Sequence, residues 1–448
     1  MDLSGQKIFI IGLGKTGLAT ARFLAKQQAR ITVADQKTPE GIENALTELR
    51  DAGIFFDIVP YDVMSLHHID MVIPSPGVPP HDPLLIEAVR KSIPVHSELE
   101  IACRFLKPPM VAITGTNGKT TTTTLTGQLL KDAGKKVFVG GNIGIPLIEY
   151  CEGPQNEDFA VVEVSSFQLQ WVTAFHARCA VLLNTTCDHV NYHGSFAAYQ
   201  EAKERVFLNQ DESDLAILNA DEDYTQDLSK RLKAKTLFFS STRHVTQGFS
   251  ICGDQLVLSG FSGKDEFYPR DMIKIPGLHN VENVMAAIIS ARMCGCLPER
   301  VIETITEFRG ISHRIEYIDK KQGVAYYDDS KGTNVGAVVR ALETFHNPVI
   351  LLLGGRDKDG DFETLEPLIK ARVKSLILFG EARARIKEKI GGLVETDVRP
   401  TLREATLEAH RRATAGDVVL LSPGCASFDE FTDYKDRGNF FQTLVRKL

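Results

Sequence analysis

Apolar and polar positions alternate along this chain in a repeated strand-then-helix rhythm. "KIFIIG" (7–12) is an apolar run ending in glycine. "KTGLATARFLAKQQA" then places Leu18, Ala21, Leu24 and Ala25 at helical spacing, and "RITVAD" reads as the next strand. "DMVIPSPGVPP" predicts a buried strand stopped by prolines, "PLLIEAVRKSI" a helix, and "PVHSELE" leads out. A second block opens with the strand "MVAIT" and a long helix ending near Gly134. "KKVFVGGNIG", "FAVVEVSSFQ", "ARCAVLLNTTCDHVNYHG" and "DLAILNADE" continue it as strands with polar or glycine-rich ends. Short runs in 233–275 ("TLFFS", "GFSICGDQLVLSG") predict a small antiparallel piece, and "GLHNVENVMAAIISARMCG" a helix with Asn280 and Asn283 on its first turn. A third block delivers "VAYYDDSKGTN", "PVILLLGGRDKDGDF", "SLILFGEA" and "DVVLLSPGCASFDEF", each a strand followed by a polar loop. The pattern predicts three α/β domains, 1–96, 97–309 and 310–448, with a boundary in the proline-containing stretch 94–110.

Composition fits this picture. A chain of 448 residues exceeds one hydrophobic core. Its net charge of −7 gives no reason to expect nucleic-acid binding. No apolar run approaches a membrane span, and the first residues lack the basic segment of a signal peptide. Eight scattered cysteines without a CxxC pair read as the reduced thiols of a cytoplasmic protein, and "CGC" at 294–296 as helix-end residues.

Two glycine loops carry the candidate chemistry. In "GLGKTG", Gly12, Gly14 and Gly17 follow a strand and open a helix, and Asp35 ends the next strand. That is the dinucleotide fingerprint of a Rossmann-like domain. Taken alone it fits NAD, a related nucleotide diphosphate, or a structural turn. In "GTNGKTT", Gly115, Thr116, Asn117, Gly118, Lys119, Thr120 and Thr121 resemble a P-loop, but Ile113 stands where its first glycine belongs, so the loop is shorter than usual. Lys119 suits β/γ-phosphate oxygens and Thr120 a Mg²⁺ ion. A plain glycine turn explains neither this pair nor five consecutive threonines in a helix. Glu163 ends a buried strand expected beside the loop's own, where a charge is costly unless paired or metal-bound. His189 follows another strand, at the carboxyl end where doubly wound sheets gather ligands. Lys203, in "YQEAKERVF", reads on its own as a solvated helix lysine.

Together "GTNGKT", "EVSSFQL", "DHVNYHG…K" and "GLHN" resemble the Mur ligases, ATP-dependent amide-forming enzymes of bacterial cell-wall precursor synthesis and cousins of folylpolyglutamate synthetase. The resemblance covers all three domains. "SPGVP" (75–79), "GGNIG" (140–144), "DDSKGTN" (328–334), "LLLGGRDKDGDF" (351–362) and "LLSPGCASFDEF" (420–431) are similar to the branch that adds D-glutamate. There is no "DNPR" motif, the mark of the diamino-acid branch. The resemblance implies a Rossmann-like N-terminal domain, a central P-loop ATPase-type parallel sheet and a Rossmann-like C-terminal domain. It implies that the first holds UDP-N-acetylmuramoyl-L-alanine through Gly14, Lys15, Thr16, Asp35, Gln36 and Gly77, with Asn142 near the diphosphate. ATP is implied at the loop 115–121, with Asn283 at adenine, Arg314 at the phosphates and Asp329 at the ribose. Two Mg²⁺ ions are implied on Thr120, Glu163, His189 and a carbamate formed from Lys203 and CO₂. Thr333, Lys358, Ser427 and Tyr434 are implied for D-glutamate, with Tyr434 departing from the hydroxyl-free aromatic of the family. The expected protein is a cytoplasmic monomer with small-molecule partners and no nucleic acid or membrane. Other readings are another amino-acid ligase of the Mur and folylpolyglutamate group, an NAD-dependent dehydrogenase with a regulatory nucleotide site, and a P-loop switch protein.

Overall fold

The computed structural model describes residues 1–357 and 360–448 and contains three β-sheets. The first has four parallel strands in the spatial order Phe56–Ile58, Arg30–Ala34, Lys7–Ile11, Met71–Pro74. Its central strand is apolar at successive positions because both faces are covered. Ile8 and Ile10 pack in one cluster with Phe23, Leu24 and Leu46. Phe9 and Ile11 join Leu84, Leu85 and Ala88 on the other side. Pro83 opens the helix Pro83–Arg90, and the Asp82 carboxylate caps it by accepting from Leu84 N at 2.9 Å.

The second sheet has nine strands. Its core runs Val137–Gly141, Phe159–Glu163, Met110–Thr114, Cys179–Leu182, Leu215–Asn219 and Lys235–Ser240, all parallel. The antiparallel piece expected in 233–275 is narrower than its sequence suggested. "TLFFS" belongs to the parallel part, and Gly248–Cys252 also pairs with it in parallel. Only Gln255–Ser259 and Glu266–Pro269 run antiparallel. The stretch read as a boundary carries a helix, Glu98–Phe105, capped by Ser97 Oγ accepting from Glu100 N at 3.2 Å. Residues 1–272 and 282–305 form one compact unit, and this helix lies within it.

Residues 273–281 and 306–448 form the second unit. Its sheet runs Glu316–Lys321, Val324–Asp328, Val418–Gly424, Val349–Gly354, Val373–Phe379, Glu395–Val398. The first pairing is antiparallel and the remainder are parallel. The parallel strands deliver loops at their carboxyl ends, and Gly115, Asn142, Asp329 and Ser427 lie in such loops, while Lys203, Asn283 and Tyr434 stand on helices.

Candidate active site

The strand Met110–Thr114 ends in Gly115, and Gly118 caps the helix Lys119–Asp132 with φ of +86°. A Cβ on Gly118 would stand 2.2 Å from Asn283 Oδ1, so glycine is required both by the left-handed turn and by the asparagine packed on it. The loop is fastened from the neighbouring strand end. Asn184 accepts from Asn117 N at 2.8 Å and donates to Asn117 O at 3.1 Å. Thr116 Oγ1 meets Tyr199 OH at 2.9 Å. Lys119 Nζ curls back over the turn, donating to Gly115 O at 2.8 Å and Thr116 O at 2.9 Å. A helix N-terminus, a loop of backbone amides and a lysine thus meet at one point, the arrangement that binds polyphosphate.

Glu163 stands beside the loop, because its strand pairs with the loop's strand in the register Ile113↔Glu163. The carboxylate is 2% exposed. Oε1 accepts from Asn142 Nδ2 at 2.8 Å, while Oε2 is buried with no hydrogen bond. A buried carboxylate oxygen without a donor is expensive, and a hard cation is the partner that removes the cost. The chemistry of this oxygen fits a hard cation such as Mg²⁺. His189 takes φ of +52°, its ring 4.7 Å from Phe167.

Lys203 overturns the plain reading of its helix. It is 2% exposed, and its Nζ donates to Gly115 O at 2.9 Å, sharing that acceptor with Lys119. Burial, and then the charge of Lys119, push its pKa well below that of a free lysine, against the pull of Asp188 and Glu222. Tyr199, one turn earlier on the same face, lies under the amine at 4.5 Å. Neither Tyr199 nor Asn184 was anticipated from the sequence. The i, i+4 spacing of Tyr199 and Lys203 was the available signal.

In the first loop, Asp35 is committed to the backbone. Oδ2 accepts from Leu13 N at 2.8 Å and Oδ1 from Lys37 N at 2.9 Å, so it shapes the loop from below. Gln36 faces Tyr61 and Asp82 at 3.4 and 3.5 Å. Thr16 lies in the first turn of the helix Lys15–Lys26, whose N-cap is Gly14. Lys15 Nζ reaches Gly144 O at 2.5 Å, in the loop that carries Asn142. Gly77 has no atom within 4 Å of where a Cβ would stand.

In the second unit, Asp329 is buried and accepts from Ser422 Oγ at 2.7 Å. Burial raises its pKa to about 7, against Ser422 and the charge of Arg314. Arg314 sits between two left-handed residues, His313 at φ +67° and Ile315 at φ +47°. A β-branched residue there is strained by roughly 1–3 kcal/mol. The pair His313 Nδ1–Asp328 Oδ2, at 2.7 Å, holds the turn. The helices that follow Thr333 and Ser427 are capped by Asn334 and Asp433. Tyr434 opens the helix Tyr434–Arg446, with Lys331 Nζ 3.9 Å from its ring centre. Lys358 lies outside the described residues. Arg437, not singled out from the sequence, is fully buried. It donates to Ser330 Oγ at 2.9 Å, Ser330 O at 2.8 Å and Cys425 O at 3.1 Å, tying together two loops of this sheet.

The chain is similar to known proteins along most of its length. Residues 6–97 match the family description "Mur ligase MurD-like, N-terminal domain", residues 113–291 "Mur ligase middle domain" and residues 313–425 "Mur ligase, glutamate ligase domain". The chain is 60% identical to a UDP-N-acetylmuramoylalanine–D-glutamate ligase of Syntrophus aciditrophicus (strain SB), over 100% of this chain and 99% of that one. It is 42% identical to the same-named protein of Geotalea daltonii over 100% and 99%. Among solved structures, it resembles UDP-N-acetylmuramate-alanine ligase MurC of Thermotoga maritima with a TM-score of 0.58 at 20% identity, covering 98% and 99% of the two chains. MurF ligase of Thermotoga maritima, solved in complex with ADP, gives 0.59 at 17% identity over 100% and 96%. At those identities the structures share the fold. With matched domains along most of its length and a full-length relative at 60% identity, the chain belongs to the Mur ligase family, in its MurD-like branch.

Proposed function

We propose that this protein is an ATP-dependent ligase that joins D-glutamate to UDP-N-acetylmuramoyl-L-alanine. A carboxylate cannot be attacked by an amine while its leaving group is oxide. The γ-phosphoryl of ATP is therefore transferred to the alanyl carboxylate, giving an acyl phosphate and ADP. The amine of D-glutamate attacks the acyl carbon, loses a proton, and phosphate departs. The observation that supports this most directly is the convergence of Lys119 and Lys203 on Gly115 O beside the unpaired Oε2 of Glu163.

In this reading the amides of 115–120 and Lys119 hold the β- and γ-phosphates, and positioning with charge neutralisation performs most of the phosphoryl transfer. Bound Mg²⁺ supplies neutralisation of the phosphate and acyl oxygens that would otherwise repel. Thr120, Glu163 and His189 are the residues that hold it. Lys203, its pKa lowered by burial and by the charge of Lys119, would in its neutral form add CO₂ through the amine lone pair and lose a proton, and the resulting carbamate would join Glu163 as a second anionic ligand for metal. Asn283 faces adenine, Arg314 the phosphates and Asp329 the ribose. Gly14, Lys15, Thr16, Asp35, Gln36 and Gly77 form the UDP pocket, Asp35 by shaping its loop. Thr333, Ser427, Tyr434 and Lys358 form the D-glutamate pocket. The reading places the protein in the cytoplasm as a monomer. Among the described residues no helix is long and apolar enough to cross a membrane.

The test is phosphate release from ATP and Mg²⁺ with each substrate present and omitted. Release that requires both UDP-N-acetylmuramoyl-L-alanine and D-glutamate is expected. Release indifferent to both, or NADH that competes for the first loop, would favour the switch or the dehydrogenase reading.

A further inference from the structure

The loop between Gly141 and Pro146 is fastened along its length. It begins at the Glu163 strand. Gly141 N donates to Ile145 O at 2.8 Å, and Asn142 N donates to Glu163 O at 2.8 Å. A Cβ on Gly141, at φ +99°, would stand 2.5 Å from Glu163 O, so the loop presses directly on the residue that orients Asn142. In the middle, Lys15 from the first glycine loop reaches Gly144 O at 2.5 Å. At its exit the chain enters the four-residue helix Leu147–Tyr150, whose N-cap is Pro146. Proline has no side-chain acceptor for the first-turn amides, which need one when buried. The acceptor comes from elsewhere. Glu98 Oε1 takes the hydrogen of Ile148 N at 2.8 Å, from the helix Glu98–Phe105.

Glu98 is an unusual way to satisfy one amide. Its side chain is buried, and its other oxygen, Oε2, meets no donor at hydrogen-bonding geometry, although the Gln168 side chain lies close enough to favour the anion. Burial raises its pKa, against the Ile148 amide and the Gln168 side chain that favour the anion. Its neighbour Glu100 serves as a contrast. That carboxylate accepts from Thr173 N and Oγ1, Ala174 N and Arg104 Nε, all within 3.0 Å, and is a fully satisfied anchor. A half-satisfied buried carboxyl adds little stability, and an apolar side chain of similar volume often does as well. What Glu98 supplies and such a side chain does not is a fixed exit for the loop that bears Asn142.

We propose that Glu98 is a positioning residue for the UDP-linked substrate, acting as a remote cap that fixes loop 141–146 between the first glycine loop and Glu163. The inference rests on the reading of Asn142 and Lys15 as substrate contacts. Wild-type turnover with UDP-N-acetylmuramoyl-L-alanine is therefore measured first, and its absence would overturn that reading rather than this one. The variants are Glu98→Gln, which keeps an acceptor, and Glu98→Met, which keeps the volume without one. Glu98→Gln should hold the KM for UDP-N-acetylmuramoyl-L-alanine within about twofold of wild type, and Glu98→Met should raise it about fivefold or more, as expected for one lost hydrogen bond. The KM for ATP should stay within about twofold in both, and Glu98→Met, which leaves the buried Ile148 amide without its acceptor, should still fold, with a melting temperature lowered by only a few degrees. An unchanged substrate KM in Glu98→Met, or ATP and substrate KM values that rise together, would overturn the proposal. A Glu98→Met protein that does not fold would overturn it too, because the carboxyl would then be a stability element.

Discussion

Asp329 is a buried carboxyl whose ionisation should be visible in the stability of its own unit. It sits where the strand Val324–Asp328 ends, bonded by Ser422 Oγ, and burial lifts its pKa from 3.8 to about 7. A carboxyl raised on folding stabilises the fold fully below its unfolded pKa of 3.8, and that contribution is lost as pH rises through the folded value near 7. The whole gap corresponds to about 4 kcal/mol at 1.36 kcal/mol per unit. Between pH 5 and pH 8 the loss is about 3 kcal/mol, on the order of a hundredfold in the local opening equilibrium. Asp329→Asn removes the titration while keeping an acceptor for Ser422. The assay is hydrogen exchange, read by mass spectrometry on peptides spanning 418–424 and corrected for intrinsic exchange, which isolates this sheet from the rest of a multi-unit chain. The ratio of wild-type to Asp329→Asn protection should fall by close to a hundredfold from pH 5 to pH 8. A ratio independent of pH would refute the reasoning.

Other expected outcomes follow from the loop and its lysines. Lys119→Ala should lower turnover by orders of magnitude with the fold intact by circular dichroism, and near-normal phosphate release would remove it from the phosphate site. Lys203→Ala should be nearly inactive and should regain part of its activity when small carboxylates are added to the buffer; full activity without the lysine would exclude a carbamate ligand.

Much of this architecture was legible in the sequence because parallel strands buried on both faces are written as short apolar runs, and their glycine-rich ends mark the ligand edge. Glu163 beside the loop was readable for the same reason. Lys203 was not, because a lysine in "YQEAKERVF" defaults to solvent. Only the packing of Tyr199, Ala202, Val206 and Phe207 puts that side of the helix inside. The helix Glu98–Phe105 was missed because "SELE" opens with two acids, and their burial depends on partners 50 and 73 residues away. Asp35 was recognised as part of the first loop, but its bonds to Leu13 N and Lys37 N give it a shaping role that spacing does not reveal. Arg437 carried no local signal, since what it ties together comes from two separate strand ends.

The central claim is that the chemistry ends on the amine of D-glutamate, and its stereochemistry tests this most directly. Two carboxylates and an amine on one carbon skeleton must each meet a fixed partner. Inverting the α-carbon turns one of them away, and a charge left unpaired in a closed site costs several kcal/mol. With ATP, Mg²⁺ and UDP-N-acetylmuramoyl-L-alanine held saturating, kcat/KM is measured for the two enantiomers of glutamate by phosphate release and by the mass of the product. The account predicts a product one glutamyl residue heavier, and a kcat/KM for L-glutamate at least about a hundredfold below that for D-glutamate. Equal use of the two enantiomers, or phosphate release without a glutamyl product, would contradict it.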